Sequence, residues 1–399
     1  MSTKDRILLL TLAAINFTNI MDFMIMMPLG PQLMRIFNIS TSEFGLVVSS
    51  YSISAGISGF LTAFVVDRFD RKRFLQFLFA GFLLGTLACG FAPTYVTLMA
   101  ARIFTGLFGG VLGAVILAIV GDTIPFERRG QAMAYVMAAF SVASVIGVPF
   151  GLRIANTYGW NTPFLFLAAL ALPIQYLIYK FVPNLNAHTA SGKSINVVQT
   201  IKNITSNPNQ RKAITLMMVI MFGHFSIIPF LSTYMVRNVG FAEGQLEQIY
   251  FFGGISTIIA SPLIGKLADK IGKLKVFTFF VAFSCVPVFF ITNMPHVALW
   301  ISLIVTSVFF AISSGRFIPA QAMVTATVEP KNRGSFMSVV SSMQQLSSGF
   351  SAFIAGVIVV DDHVGPIKNY NIVGYLSILA AIITLFLVRR ITTVDGEKF

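Results

Sequence analysis

Asp22 places a carboxyl group inside a long apolar run, and it is the first residue in this sequence that could do chemistry. Of the 15 Asp and Glu residues, it alone lies far from the end of any apolar run, roughly eight residues in. Isolated acids within hydrocarbon are costly and mark function by default. Burial favours the protonated form of a carboxyl, whereas a neighbouring guanidinium favours the ionised form. Arg102 lies at a similar depth in another apolar run of opposite chain direction, so the geometry permits a pair with Asp22. Two readings stand open. The pair is either a proton-coupling element, with loading of Asp22 linked to its distance from Arg102, or a static buried ion pair.

Arg316, in Ser313-Ser314-Gly315-Arg316-Phe317, is the second deep cation. It can contact an anionic substrate group, or it can reach toward the interface or bond helix carbonyls. Asn16 and Asn19 share a helical face with Asp22 or Phe23, and Gln344 and Gln345 sit in a late apolar run, so all four are cavity-lining candidates. His224 is either a titrating group or a hydrogen-bonded structural residue. Met21, Met24, Met26 and Met27 give the first run an adaptable apolar surface, which suits a lipophilic substrate or simply fills gaps. Cys89 and Cys285 lie within apolar runs and are assigned no chemistry. No phosphate-cradling glycine loop, zinc-ligand cluster or catalytic Ser/His/Asp order occurs, so the expectation is a protein that is not an enzyme, with no metal and no cofactor beyond an ion gradient.

The elements that must position these residues are membrane helices. The chain has 399 residues, 56% hydrophobic and 11% charged, with a mean hydropathy of +0.81, whereas soluble chains carry about 25% charged residues. Apolar runs near 7–30, 43–66, 74–92, 94–121, 131–156, 161–182, 213–236, 243–265, 274–293, 297–322, 335–360 and 371–390 are each about long enough to cross a ~30 Å hydrocarbon core. They lack the alternating period of a membrane barrel, which makes the expected fold all-α with twelve transmembrane helices. Lys4 and Arg6 precede the first run, but no small-residue cleavage site precedes Pro28, so that run is read as the first span.

The net charge of +13 comes from Lys and Arg that gather on one side. Loops bearing Arg68, Arg71, Lys72, Arg73, Arg128, Arg129, Lys266, Lys270, Lys273, Lys275, Lys331 and Arg333 share a side with both termini, against Arg35, Arg153, Arg237 and Lys368 opposite. This pattern predicts cytoplasmic termini, and it accounts for the basic charge without a nucleic-acid partner.

Residues 183–211 form the one long polar stretch, a cytoplasmic linker between an N-terminal bundle at 1–182 and a C-terminal bundle at 212–399. The halves repeat one another. Asp67-Arg68-Phe69-Asp70-Arg71 answers to Asp269-Lys270-Ile271-Gly272-Lys273, and Pro125-Phe126-Glu127-Arg128-Arg129-Gly130 to Pro330-Lys331-Asn332-Arg333-Gly334.

At these residues the sequence resembles the major facilitator superfamily, and within it the drug and sugar proton antiporters similar to arabinose-efflux-type permeases. Gly265-Lys266-Leu267-Ala268-Asp269-Lys270-Ile271-Gly272-Lys273 is a near-complete copy of the family's loop motif. The first-half copy has Ala63 and Asp70 where the pattern has glycines, and keeps Asp67, Arg68, Arg71 and Lys72. The resemblance implies that Asp67 sits against the start of the eleventh span while Arg71 pairs with Asp122, a charge cluster that latches the cytoplasmic side in the outward-open state, with Arg68, Arg129, Gly265, Asp269, Lys273 and Arg333 as further gating residues; the alternative is that these charges only enforce topology. Arg102, Gly106, Gly109 and Gly110 match the fourth-span pattern, and Gly147-Val148-Pro149-Phe150-Gly151 resembles the fifth-span antiporter motif, with Val148 splitting its Gly-Pro pair. Small residues there permit close helix approach, and Pro149 frees a carbonyl.

The function expected from this reading is proton-driven export of a small amphipathic or sugar-like compound, by a rocker switch between two pseudo-symmetric six-helix bundles in the cytoplasmic (inner) membrane. The partners are protons, the small-molecule substrate and the bilayer, with the chain acting as a monomer. A proton-coupled importer or a lipid flippase of the same fold is the alternative, and a non-transporting sensor a further one.

Overall fold

The computed structural model describes residues 3–62, 69–185, 202, 204, 206–361 and 365–399. Asp67, Arg68 and most of the 183–211 connection lie outside the described residues. Helices α1 (Thr3–Ile25), α2 (Gly30–Phe37), α3 (Thr41–Thr62), α4 (Arg71–Gly90), α5 (Tyr95–Thr123), α6 (Phe126–Val142), α7 (Val148–Tyr158) and α8 (Thr162–Phe181) form the first half. The second half holds α9 (Pro208–Arg237), α10 (Leu246–Ile271), α11 (Lys273–Thr292), α12 (Leu299–Thr325), α13 (Arg333–Ile358) and α14 (Tyr370–Val388).

Among the described residues, eleven helical spans are long and apolar enough to cross a membrane, α6 and α7 counting as one. The twelfth, α13, falls short because Ser338, Ser341, Ser342, Gln344, Gln345, Ser347, Ser348 and Ser351 interrupt its apolar residues. It is packed between α3 and α9, and its serines bond their neighbours: Ser347 and Ser351 donate to the carbonyls of Met218 and Phe222 on α9. Between α6 and α7 the helix widens into a π turn at Ala143–Gly147, where the Val148 N–H reaches back to the Ala143 carbonyl. Pro149, which has no N–H to give the ladder, follows directly.

The first span departs from expectation. Instead of running to residue 30, α1 ends at Ile25, and Pro28 and Pro31 bracket a turn from which α2 restarts. Asp22 therefore lies in the last turn of α1, yet it stays deep because the chain beyond it, from Met26 to Met34, is buried.

Helix neighbours repeat between the halves. Within the first, α1 packs on α5, α6 and α8, α3 on α5, and α4 on α5 and α8; within the second, α9 packs on α12, α13 and α14, α10 on α12, and α11 on α12 and α14. The halves meet along α3 with α13 and along α10 with α7 and the π turn, the pairing expected of a two-fold pseudo-symmetric carrier. Glycines set the spacing at the first seam: a Cβ on Gly45 would come within 3.0 Å of Gly356 Cα, and one on Gly56 within 2.7 Å of Leu346 Cγ.

The apolar core has a telling distribution. At the end distal to the chain termini, one cluster joins both halves, drawing Ile25, Leu33, Phe44 and Leu152 from the first and Phe230, Ile249, Phe309 and Ala355 from the second. At the termini-bearing end the halves keep separate clusters, one built from residues between Leu8 and Val182, the other from residues between Ile204 and Ile391. Among the described residues, the buried apolar core is thus continuous across the halves at the distal end and split between them at the other. Around the perimeter, large apolar side chains such as Phe77, Leu84, Leu172, Phe279, Trp300 and Phe386 are more than half exposed, a surface suited to acyl chains rather than water.

Candidate functional site

Asp22 and Arg102 meet inside the N-terminal bundle. Arg102 Nη1 donates to Asp22 Oδ2 at 2.6 Å, and the two side chains are 0% and 1% exposed, so neither faces lipid. Thr86 on α4 donates to Asp22 Oδ1 at 3.1 Å, which occupies the second carboxylate oxygen. The Arg102 guanidinium lies 4.4 Å from the centroid of the Tyr51 ring on α3, a cation–π contact in a desolvated place. Tyr51 in turn donates to Asn19 Oδ1 at 3.0 Å, and Asn19 Nδ2 donates to the Gly109 carbonyl at 3.2 Å. Four helices, α1, α3, α4 and α5, are therefore tied through one ion pair. Gly109 must be small here, since a Cβ would stand 2.5 Å from the Tyr51 hydroxyl and 2.7 Å from Asn19 Oδ1.

The fifth-span motif abuts the same place. Cβ atoms built on Gly147 and Gly151 would meet Met21 at 3.2 Å and Ile25 at 2.8 Å, the α1 residues flanking Asp22. Gly147 and Gly151 thus let the π turn and α7 pack close to α1 beside the ion pair.

Other cavity candidates scatter. Asn16 is buried and donates to the Val136 carbonyl on α6 at 3.1 Å. Met26 is buried in the sealed distal core rather than facing an open space. Gln344 and Gln345 are half-buried on α13, and Gln344 Nε2, on the helix face it shares with Ser341 and Ser348, has no hydrogen-bond partner. His224 stacks on Phe309 with ring centroids 5.7 Å apart, and its Nδ1 is buried without a partner. Arg316 is 4% exposed and, among the described residues, reaches two hydroxyls, Ser284 at 3.5 Å and Ser313 at 3.4 Å.

At the termini-bearing face, Arg71 and Asp122 form an ion pair. Asp70 caps α4 by accepting from the Arg73 N–H at 2.9 Å and takes the Leu185 N–H at 2.8 Å, which gives a physical reason for an acid where the loop motif has glycine. The glycine at the matching position, Gly272, has φ +102, a conformation Asp70 with φ −57 does not need. Arg129 Nε donates to the Ile124 carbonyl at 2.9 Å. Gly265 faces open space and Asp269 is exposed. Lys273 and Arg333 line a cleft of about 520 Å³ with Gln321 and Thr325.

The distal face carries a charge lattice absent from the sequence reading. Arg35 on α2 pairs with Glu243 of the second half, and Arg153 on α7 lies 3.9 Å from Glu247 on α10. Asn156 bridges Gln32 and Glu247, and Thr41 donates to the Val359 carbonyl. The hydrogen bond that Arg35 donates to Glu243 raises the guanidinium above its ordinary range, so this partner stays charged at any working pH. Tyr51 and Thr86 were also missed. The only sequence signal for the lattice was that Arg35 and Arg153 are two of the few cations on that side.

Helices spanning a bilayer, a two-fold repeat of packing, one sealed end and a polar pair buried in the midst are the features of a membrane transporter. The chain belongs to the Major Facilitator Superfamily, whose family model matches residues 12–210 and 213–398. It is similar to the multidrug resistance protein 2 of Bacillus subtilis (strain 168), 25% identical over 345 residues that cover 84% of each chain. A probable sugar efflux transporter of Helicobacter pylori (strain ATCC 700392 / 26695) is 21% identical over 252 residues, covering 63% of this chain and 62% of that one. Among solved structures, a D-xylose–proton symporter superposes with a TM-score of 0.76 at 17% identity, covering 99% of both chains. Like other members of the family, the protein is a transporter and not an enzyme.

Proposed function

We propose that the protein is a proton-coupled exporter of a small amphipathic or sugar-like compound, with the Asp22–Arg102 pair as its coupling element. The observation that carries this reading is the fully buried pair itself, held from α1, α3, α4 and α5 beside the fifth-span motif. An ionised Asp22 needs Arg102, whereas a protonated one does not, so any motion that separates the two favours protonation and any motion that joins them favours release. The energy source is the proton gradient alone. The chain works as a monomer, with 1–182 and 212–399 as the rocking bodies and 183–211 as their connection.

With both termini in the cytoplasm of a cell whose inner membrane holds the protein, the divided end faces inward and the conformation described is inward-facing. In that state the distal lattice of Arg35, Glu243, Arg153 and Glu247 is the closed outer gate. The names of the relatives, sugar efflux and multidrug resistance, support export over import. Counterflow in right-side-out and inverted vesicles, each with and without a pH gradient, tests direction. Export predicts uphill accumulation in inverted vesicles with an acid interior; uphill accumulation only in right-side-out vesicles with an acid exterior would make the protein an importer.

A further inference from the structure

His224 follows Asp22 by 202 positions, the offset that also relates Asp67 to Asp269 in the repeated loop. The correspondence extends to the equivalent helices but not to the register along them, since Arg316 follows Arg102 by 214 positions and Ser284 follows Thr86 by 198. In the N-terminal bundle, α1 supplies an acid, α4 a hydroxyl and α5 an arginine, as Asp22, Thr86 and Arg102. In the C-terminal bundle the equivalent helices α9, α11 and α12 supply His224, Ser284 and Arg316. His224 reaches the helix that carries Arg316 by stacking on Phe309, ring centroids 5.7 Å apart.

The two sets differ in charge. Asp22 neutralises Arg102, but no described carboxylate comes within 4 Å of Arg316, although it is 4% exposed. Its hydrogen bonds at 3.4 and 3.5 Å are at the limit of length, and Arg316 Nε has no partner among the described residues. His224 Nδ1, also buried, has none either. A buried guanidinium without a counter-charge is among the costliest arrangements a protein interior can hold, and serine hydroxyls supply no charge to offset it.

We propose that Arg316, His224 and Ser284 form an anion site inside the C-terminal bundle, taking a small monovalent anion, carboxylate or halide, where the first bundle has the Asp22 carboxylate. An anion seated between α9, α11 and α12 accepts from the Arg316 guanidinium and the Ser284 hydroxyl, with the His224 ring against it. If the anion is the acid group of the carried molecule, the site adds a substrate class to the transport reading. That step rests on the transport reading; the site itself does not.

The test uses the intact protein in detergent, with unfolding followed by the fluorescence of Trp160 and Trp300 while sodium acetate or sodium bromide replaces sodium sulfate at fixed ionic strength. Wild type shows a saturable rise in melting temperature, and Arg316→Gln weakens the apparent Kd by about tenfold or more, as loss of a charged hydrogen bond requires. Ser284→Ala and His224→Gln, milder changes, weaken it less and keep the test usable where Arg316→Gln fails to fold. Protection by acetate alone assigns a carboxylate site, and protection by bromide as well assigns a site for small anions in general. No saturable rise in wild type, or an equal rise in all variants, overturns the proposal. Intact anion binding with no transport of any solute sinks the transport reading and leaves the site standing.

Discussion

Asp22→Asn is the sharpest perturbation of the buried pair, because it is nearly isosteric and removes only the charge. Wild type has Arg102 Nη1 2.6 Å from the carboxylate, with the guanidinium 1% exposed. Removing one partner of a buried pair costs about 3–5 kcal/mol, since the other charge stays behind. Here the Tyr51 ring, 4.4 Å from the guanidinium, keeps part of the compensation. A desolvated cation–π contact is worth about 2 kcal/mol, so the net loss is about 1–3 kcal/mol. Arg102→Gln alone leaves an uncompensated carboxylate with only Thr86 as donor, and the loss is at the upper end, about 3–5 kcal/mol. The double variant removes both charges and recovers most of the deficit, which gives a coupling of about 2 kcal/mol or more in a double-mutant cycle. Thermal unfolding of the four purified proteins in one detergent measures this. Single variants as stable as wild type, or additive losses in the double, would refute the claim that the pair is held by its own charge.

Three further outcomes follow from the geometry. Glu243→Gln with Glu247→Gln removes both acids of the distal lattice; their arginines are largely exposed, so each pair contributes at most about 1 kcal/mol and the joint effect is a several-fold rise in labelling of Gln32→Cys by an impermeant maleimide. Unchanged labelling would remove the lattice as a gate. Gly356→Val places methyl groups where even a Cβ would stand 2.9 Å from the Thr41 carbonyl, and overpacking of about 1–3 kcal/mol lowers the melting temperature through the α3–α13 seam. Asp70→Ala loses the α4 cap and the Leu185 contact, with a stability loss of about 0.5–2 kcal/mol in the same assay, whereas Lys72→Ala, four-square in the same loop motif but not a cap, loses less.

Much of the architecture was legible because hydrocarbon imposes long apolar runs, and such runs cannot be hidden in a sequence. The break after Ile25 was harder, since Met26, Met27 and Leu29 are as apolar in a turn as in a helix and only Pro28 and Pro31 carried the signal. Asp22 and Arg102 were legible for the reason that charges in such runs are rare. Thr86 and Tyr51 were not, because hydroxyl-bearing residues are common in membrane helices and only the fold shows which of them reach a charge. The distal lattice joins Arg35 to Glu243 across 208 positions, a relation that exists only once the bundles have docked. Likewise, the isolation of Arg316 from any described acid is a property of packing, not of its neighbours in sequence.

The central claim, that Asp22 exchanges the coupled proton, is tested most directly in proteoliposomes loaded with a transported solute, comparing wild type with Asp22→Asn. Wild type is predicted to exchange solute in both the absence and the presence of a pH gradient and to accumulate it only in the latter. Asp22→Asn is predicted to retain exchange and lose accumulation. Gradient-driven accumulation by Asp22→Asn at the wild-type level would contradict the account.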